Sequence, residues 1–158
     1  MKKSKNALVI LAGGYGKRFN KKLPKQFNEI NGENLIDFFL NRIDTNIFDI
    51  ILIVTKKSFQ KHTKHLKTKY PLIKFMHAEA GKNRQLSSFN ALKRLDTHKP
   101  DKVLIHDAAR PFCSNSLVIK IINNLNNNES AVPYILSPDK KVLSKKEFNK
   151  TIKLIQTP

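Results

Sequence analysis

Three short, almost unbroken apolar runs constrain this chain more than anything else in it: Ala7–Ala12 (ALVILA), Asp49–Thr55 (DIILIVT) and Lys102–His106 (KVLIH). Each is far below the ~18 residues of a membrane span. None alternates apolar with polar, so each predicts a strand covered on both faces, as in a parallel sheet. The stretches between them have helical spacing. Leu35, Phe38, Phe39, Arg42 and Ile43 form a stripe behind Asn34, a residue suited to an N-cap. Ser87–Leu95 predicts a second helix with Phe89, Leu92 and Leu95 inward. Ser116–Leu125 predicts a third, capped by Ser114 or Asn115. Ser130–Leu136 reads as a further strand, with Pro133 placing it at an edge or a bulge, and the Asn-rich stretch 123–128 reads as a loop. Alternation of this kind predicts one α/β domain with a mostly parallel, Rossmann-like sheet and flanking helices.

In such sheets ligands bind beyond the carboxyl ends of the strands. After the first run comes Gly13-Gly14-Tyr15-Gly16-Lys17-Arg18, after the third Asp107-Ala108-Ala109-Arg110-Pro111, and between them Ala80-Gly81-Lys82-Asn83-Arg84. Clustered glycines let a backbone approach an anion closely. No Gly-Lys-Ser/Thr closes a Walker loop, and Phe19 occupies the place of the third glycine of a dinucleotide fingerprint. Arg18 is the better anion-binding candidate beside the solvated Lys17, Lys21 and Lys22, and so is Lys25, which Pro24 holds in place.

LAGGYGKR followed by LPKQF resembles the signature of sugar-phosphate and polyol-phosphate nucleotidyltransferases. With GKNRQLSSFNAL and HDAARPF, the chain from Ala7 to Pro158 resembles the 2-C-methyl-D-erythritol 4-phosphate cytidylyltransferase family. The resemblance implies a nucleotide-diphospho-sugar transferase type of fold with a protruding dimerisation arm at about 134–156. It also implies transfer of CMP from CTP to that polyol phosphate, in isoprenoid biosynthesis by the non-mevalonate pathway. Ala12, Gly13, Gly14 and Gly16 would lie along the nucleotide. Arg18 and Lys25 would be the catalytic pair on the triphosphate. Gly81, Lys82 and Ser87 would meet cytosine and ribose, Asp107 would hold Mg2+, and Ala108, Arg110 and Ser137 would line the acceptor site. Such transfer needs positioning and cancellation of charge more than a covalent nucleophile, and Mg2+ accepts a single carboxylate beside phosphate oxygens.

The chain departs from the family pattern at several points. Lys82 replaces an acidic residue, Ser137 stands where a Thr is frequent, and Phe148-Asn149 replaces an Asp-Arg, leaving Lys150 or Lys153 as substitutes. The family continues roughly 70 residues further, so the expectation is a domain incomplete at 158, which by itself is inactive.

The net charge of +18 raises a second reading, a basic nucleic-acid-binding module. Against it, the Lys residues are dispersed among many Asn and Ile, and aromatics are 8% with no Trp, too few for a stacking platform. A ribitol-5-phosphate cytidylyltransferase is the alternative enzyme, although Ala108-Ala109 favours the methylerythritol acceptor. The single cysteine, Cys113, excludes an intrachain disulfide and reads as a small buried residue. His62 and His65 read as a solvated face, His106 as a structural strand-end residue, and Phe38, Phe39, Phe89 and Phe112 as core. The expected setting is the cytoplasm, with a homodimer as the assembly and no membrane contact.

Overall fold

The three apolar runs lie side by side in one parallel sheet in the computed structural model of the chain, which describes residues 4–14, 23–134 and 155–156. The strands are β1 (Asn6–Leu11), the short β2 (Glu29–Ile30) and β3 (Glu33–Asn34), then β4 (Ile50–Thr55), β5 (Lys74–Glu79) and β6 (Lys102–Asp107). The main sheet has the order β5-β4-β1-β6. Its register pairs Leu11 with both Val54 and Asp107, so the carboxyl ends of β1, β4 and β6 finish level. Every residue of β4 is buried, as an unbroken apolar run requires.

Helices cover both faces. On one, α3 (Arg84–Leu95) sets Ala91 and Leu95 against Val9, Leu52 and Ala78. On the other, Phe39 of α1 (Leu35–Leu40) lies fully buried and stacks on His106, with ring centroids 3.9 Å apart and 14° from parallel. A Phe this buried is worth about 3–5 kcal/mol against Ala. The helix starts where the sequence places its cap: Asn34 Oδ1 accepts from the N–H groups of Ile36 (2.9 Å) and Asp37 (3.1 Å).

The helical phase of α3 differs from expectation. Its buried residues are Ser87, Ala91 and Leu95, whereas Phe89 is 59% exposed and Leu86 and Leu92 are exposed as well. Leu95 is buried as expected; nearer the helix start the small Ser87 and Ala91 face the sheet because they let the helix come close, and Leu86, Phe89 and Leu92 point away. Phe112, expected in the core, is 78% exposed and meets Phe38 edge-on. The short helix α2 (Leu66–Lys69) and two strand features were not anticipated. One of these features is β5, an edge strand. The other is the β2–β3 hairpin, whose Asn31-Gly32 turn has φ values of 54° and 80°, the left-handed pair that a tight two-residue hairpin demands.

The chain forms two compact units, Met1–Cys113 and Ser114–Pro158. In the second, α4 (Asn115–Asn124) is capped by Ser114 Oγ, which accepts from Leu117 N–H, and buries Val118, Ile121 and Ile122. Asn123 and Asn124, expected in a loop, close this helix instead. The strand expected over 130–136 is represented by β7 (Pro133–Tyr134), which pairs in parallel with β8 (Ile155–Gln156). Most of the arm expected at about 134–156 lies outside the described residues. Among the described residues no helix is long and apolar enough to cross a membrane.

Candidate active site

A cleft of about 340 Å3 opens in the first unit where β1, β5 and β6 end. Two glycines make it possible. A Cβ on Gly13 would lie 2.5 Å from the Ala80 Cβ. A Cβ on Gly81 would collide with the Leu86 side chain and come within 2.9 Å of the Ser87 nitrogen. The end of β1, the end of β5 and the start of α3 therefore meet at backbone distance, which side chains there would prevent. Gly14 is different: a Cβ there meets nothing within 4 Å, so its neighbourhood is open.

The start of α3 forms one wall. Asn83 caps the helix, its Oδ1 accepting from Leu86 N–H at 2.8 Å. Ser87 Oγ donates to the Asn83 carbonyl (2.9 Å) and accepts from Gly81 N–H (3.0 Å). Two of the three residues that the resemblance assigns to base and ribose, Gly81 and Ser87, thus hold each other, and the Gly81 loop is latched to the positive end of a helix, a favourable place for an anionic ligand. Lys82 is exposed on the rim.

The second wall carries the phosphate candidates. Lys25 is exposed on the cleft at the start of the tight turn Lys25–Phe27. Gln26, in the same turn, is 3% exposed and donates through Nε2 to the carbonyls of Ala12 (2.6 Å) and Gly14 (2.9 Å). Ala12 is buried, and its N–H donates to Val54 O, so it supports the cleft from behind. Gly16 and Arg18 lie outside the described residues, as does Ser137.

The third wall is charged. Asp107, with its side chain 27% exposed, accepts from Arg84 Nε at 3.0 Å on one carboxylate oxygen and faces Arg110 Nε at 3.5 Å on the other. Ala108 was expected on the acceptor side. It is 1% exposed and its N–H donates to Leu11 O, so its side chain is behind the surface and Ala109 lines the cleft in its place. Beneath this wall His106 is held below the ordinary histidine range, chiefly by burial. Asp107 and a backbone hydrogen bond with Arg110 act in the opposite direction. The His106 Nε2 has no partner.

Sequence reasoning quoted Gln26 and Arg84 within motifs and gave neither a role. Of the two histidines expected on a solvated face, His65 is exposed and its Nε2 meets the buried Asp37 carboxylate (2.8 and 3.0 Å), 28 residues away, while His62 is half-buried and stacks on Phe27. Cys113 is half-buried, and its burial raises the thiol pKa.

A family profile described as 2-C-methyl-D-erythritol 4-phosphate cytidylyltransferase matches residues 6–153. An enzyme of that name from Thermosipho melanesiensis is 35% identical over 123 residues, covering 77% of this chain and 54% of the relative. Its namesake from Thermosipho africanus is 34% identical over 158 residues, covering 95% and 70%. The crystal structure of 4-diphosphocytidyl-2C-methyl-D-erythritol synthase from Anaerococcus prevotii has a TM-score of 0.72 at 26% identity, covering 91% of this chain and 62% of that one. The chain thus spans about half the length of the first of these relatives and more of the second.

Proposed function

The chain belongs to the 2-C-methyl-D-erythritol 4-phosphate cytidylyltransferase family, and from that premise we propose that it transfers CMP from CTP to 2-C-methyl-D-erythritol 4-phosphate. An oxygen of the acceptor's phosphate attacks the α-phosphorus of CTP. A new P–O bond forms, the bond to the bridging oxygen of the β-phosphate breaks, and pyrophosphate leaves with that electron pair. The acceptor phosphate is already a nucleophile, so no general base is required of the chain.

The observation that supports this reading is the meeting of Gly13, Lys25, Gly81 and Asp107 on one cleft at the strand ends. Lys25 and Arg18 hold the triphosphate and stabilise charge on the departing pyrophosphate. The glycine turn lies along the nucleotide. Gly81, Lys82 and Ser87 meet the base and ribose, and Arg110 and Ser137 serve the acceptor, with Ala109 lining the cleft where Ala108 is buried. Asp107 gives a hard oxygen ligand, and no group of three or more His, Cys, Asp or Glu gathers among the described residues. This donor set suits Mg2+, which takes one or two carboxylates and fills its remaining positions with phosphate oxygens and water. Bound there, the ion supplies neutralisation of triphosphate charge. Asp107 would hold the ion, and Arg84 and Arg110, paired with it at 3.0 and 3.5 Å, would then stand beside the phosphates. A homodimer joined through residues 134–156, working in the cytoplasm beside its nucleotide substrate, completes the proposal.

The test is pyrophosphate release from CTP by the full natural protein, with 2-C-methyl-D-erythritol 4-phosphate or ribitol 5-phosphate, with and without Mg2+. Release with the methylerythritol acceptor and Mg2+ is expected. Release with ribitol 5-phosphate alone overturns the acceptor. No release with either, together with RNA binding that falls steeply with salt, overturns the reaction.

A further inference from the structure

Gln26 is a buried amide one residue away from an exposed lysine, and both hydrogens of its NH2 group are spent on the cleft's own backbone. They go to the carbonyls of Ala12 and Gly14, the two that flank Gly13. We propose that Gln26 is the positioning residue of the phosphate site, an internal clamp that fixes the glycine turn relative to Lys25. The proposal rests on the reading of this cleft as a site for the phosphates of CTP.

A trans peptide directs its N–H opposite to its C=O. Drawing the Ala12 carbonyl onto Gln26 therefore turns the Gly13 N–H away from Gln26, and successive N–H groups of a glycine turn are what meet an anion. The other end of the clamp is equally fixed. Phe27 is 2% exposed and stacks with Phe59 at 5.8 Å and His62 at 5.5 Å. Its N–H donates to the Pro24 carbonyl at 2.9 Å, and the Asn28 side chain reaches the same carbonyl at 3.3 Å. Lys25 lies between two anchored residues, so its backbone cannot move relative to Gly13-Gly14 without breaking the Gln26 bonds. The chemistry requires an amide. A carboxylate of the same shape would set a bare oxygen against two carbonyl oxygens, while its protonated form would recover one of the two donors.

Gln26→Glu in the full protein separates this role from simple core filling. Binding of inorganic tripolyphosphate, measured by calorimetry, reads the phosphate site without depending on base, acceptor or turnover. At pH 8 the variant should bind at least about 10-fold more weakly than the wild type, the scale of losing one hydrogen bond to a buried group. At pH 6 the gap should narrow severalfold as the carboxyl takes up a proton. Gln26→Met, similar in volume and unable to donate at any pH, should show the loss without the pH dependence. Melting curves at both pH values identify a variant that has merely unfolded, in which case the Met variant carries the test. Affinity equal to wild type in a folded Gln26→Met or Gln26→Glu at pH 8 overturns the clamp, and so does a Glu deficit that stays constant with pH. If the wild type binds tripolyphosphate and the variants behave as expected while CTP gives no pyrophosphate with either acceptor, the clamp stands and the proposed reaction fails.

Discussion

The Lys25 wall of the cleft and its Asp107 wall are both built around charge, by opposite means. Around Lys25 the support is neutral and dry: a buried amide on two carbonyls and a buried Phe in an aromatic stack. Around Asp107 the support is ionic and wet, with Arg84 and Arg110 exposed on either side of one carboxylate. Neutral hydrogen bonds away from water keep a geometry whatever arrives. Exposed ion pairs are worth little by themselves, about 0–1 kcal/mol, and exchange readily for a better partner. One wall is preformed and the other is exchangeable, a division that suits the proposed reaction, in which a triphosphate would be held rigidly and a cation admitted and released.

The largest effects test that division directly. Lys25→Ala and Asp107→Ala should each lower kcat about 10²-fold or more, the scale of losing one preorganised charge. Steady-state assays across Mg2+ concentration should recover part of the Asp107→Ala deficit and none of the Lys25→Ala deficit. Recovery of the lysine variant by Mg2+ would erase the distinction between the walls. Next comes Ser87→Ala, which leaves the Gly81 N–H without its acceptor and should cost about 1–3 kcal/mol in urea unfolding. A neutral result would show that the Gly81 loop is held by other means. A smaller effect concerns pH. Folding lowers the pKa of His106 below the ordinary 6.5, so at acid pH the unfolded chain takes a proton that the folded chain resists. This contribution to stability is whole above about pH 6.5 and is lost as pH falls from there toward the folded value. His106→Phe keeps the stack and should narrow the difference in melting temperature between pH 8 and pH 5, and an unchanged difference would refute the assignment. Smallest of all, Arg84→Gln should alter stability by no more than about 1 kcal/mol. A loss well beyond that would make the charged wall as structural as the dry one.

What could be read from the sequence followed from local chemistry. β1 and β4 announce themselves because strands covered on both faces must be apolar throughout, and β6, at the other edge of the described sheet, through the apolar run Val103–Ile105. Asn34 and Ser114 mark helix starts because their short side chains reach the free N–H groups. The glycine turn, Lys25, Gly81 and Asp107 stand out for the same reason, each being a residue type that its backbone position or ligand demands. β5 escaped because KFMHAE mixes polar with apolar and its two end residues, Lys74 and Glu79, are exposed. The β2–β3 hairpin was legible in Asn31-Gly32 and passed over, since neither strand exceeds two residues. The phase of α3 misled because Leu86, Phe89 and Leu92 form the more apolar stripe, while close approach to the sheet selects Ser87 and Ala91. Gln26 and the Arg84–Asp107 pair depend on segments brought together by the fold, as does His65 on Asp37. No local pattern encodes such partners.

The stack of His106 on Phe39 also has a practical consequence. A histidine ring 3.9 Å above a phenylalanine ring lies in its shielding cone, so its carbon-bound protons should resonate well upfield of those of the other histidines. The next residue is Asp107, and a cation that draws that carboxylate away from Arg84, or a phosphate that draws Arg84 away from it, should change the surroundings of the shielded ring. With no Trp in the sequence to report by fluorescence, this displaced proton line gives the molecule its own indicator of whether the cleft is filled.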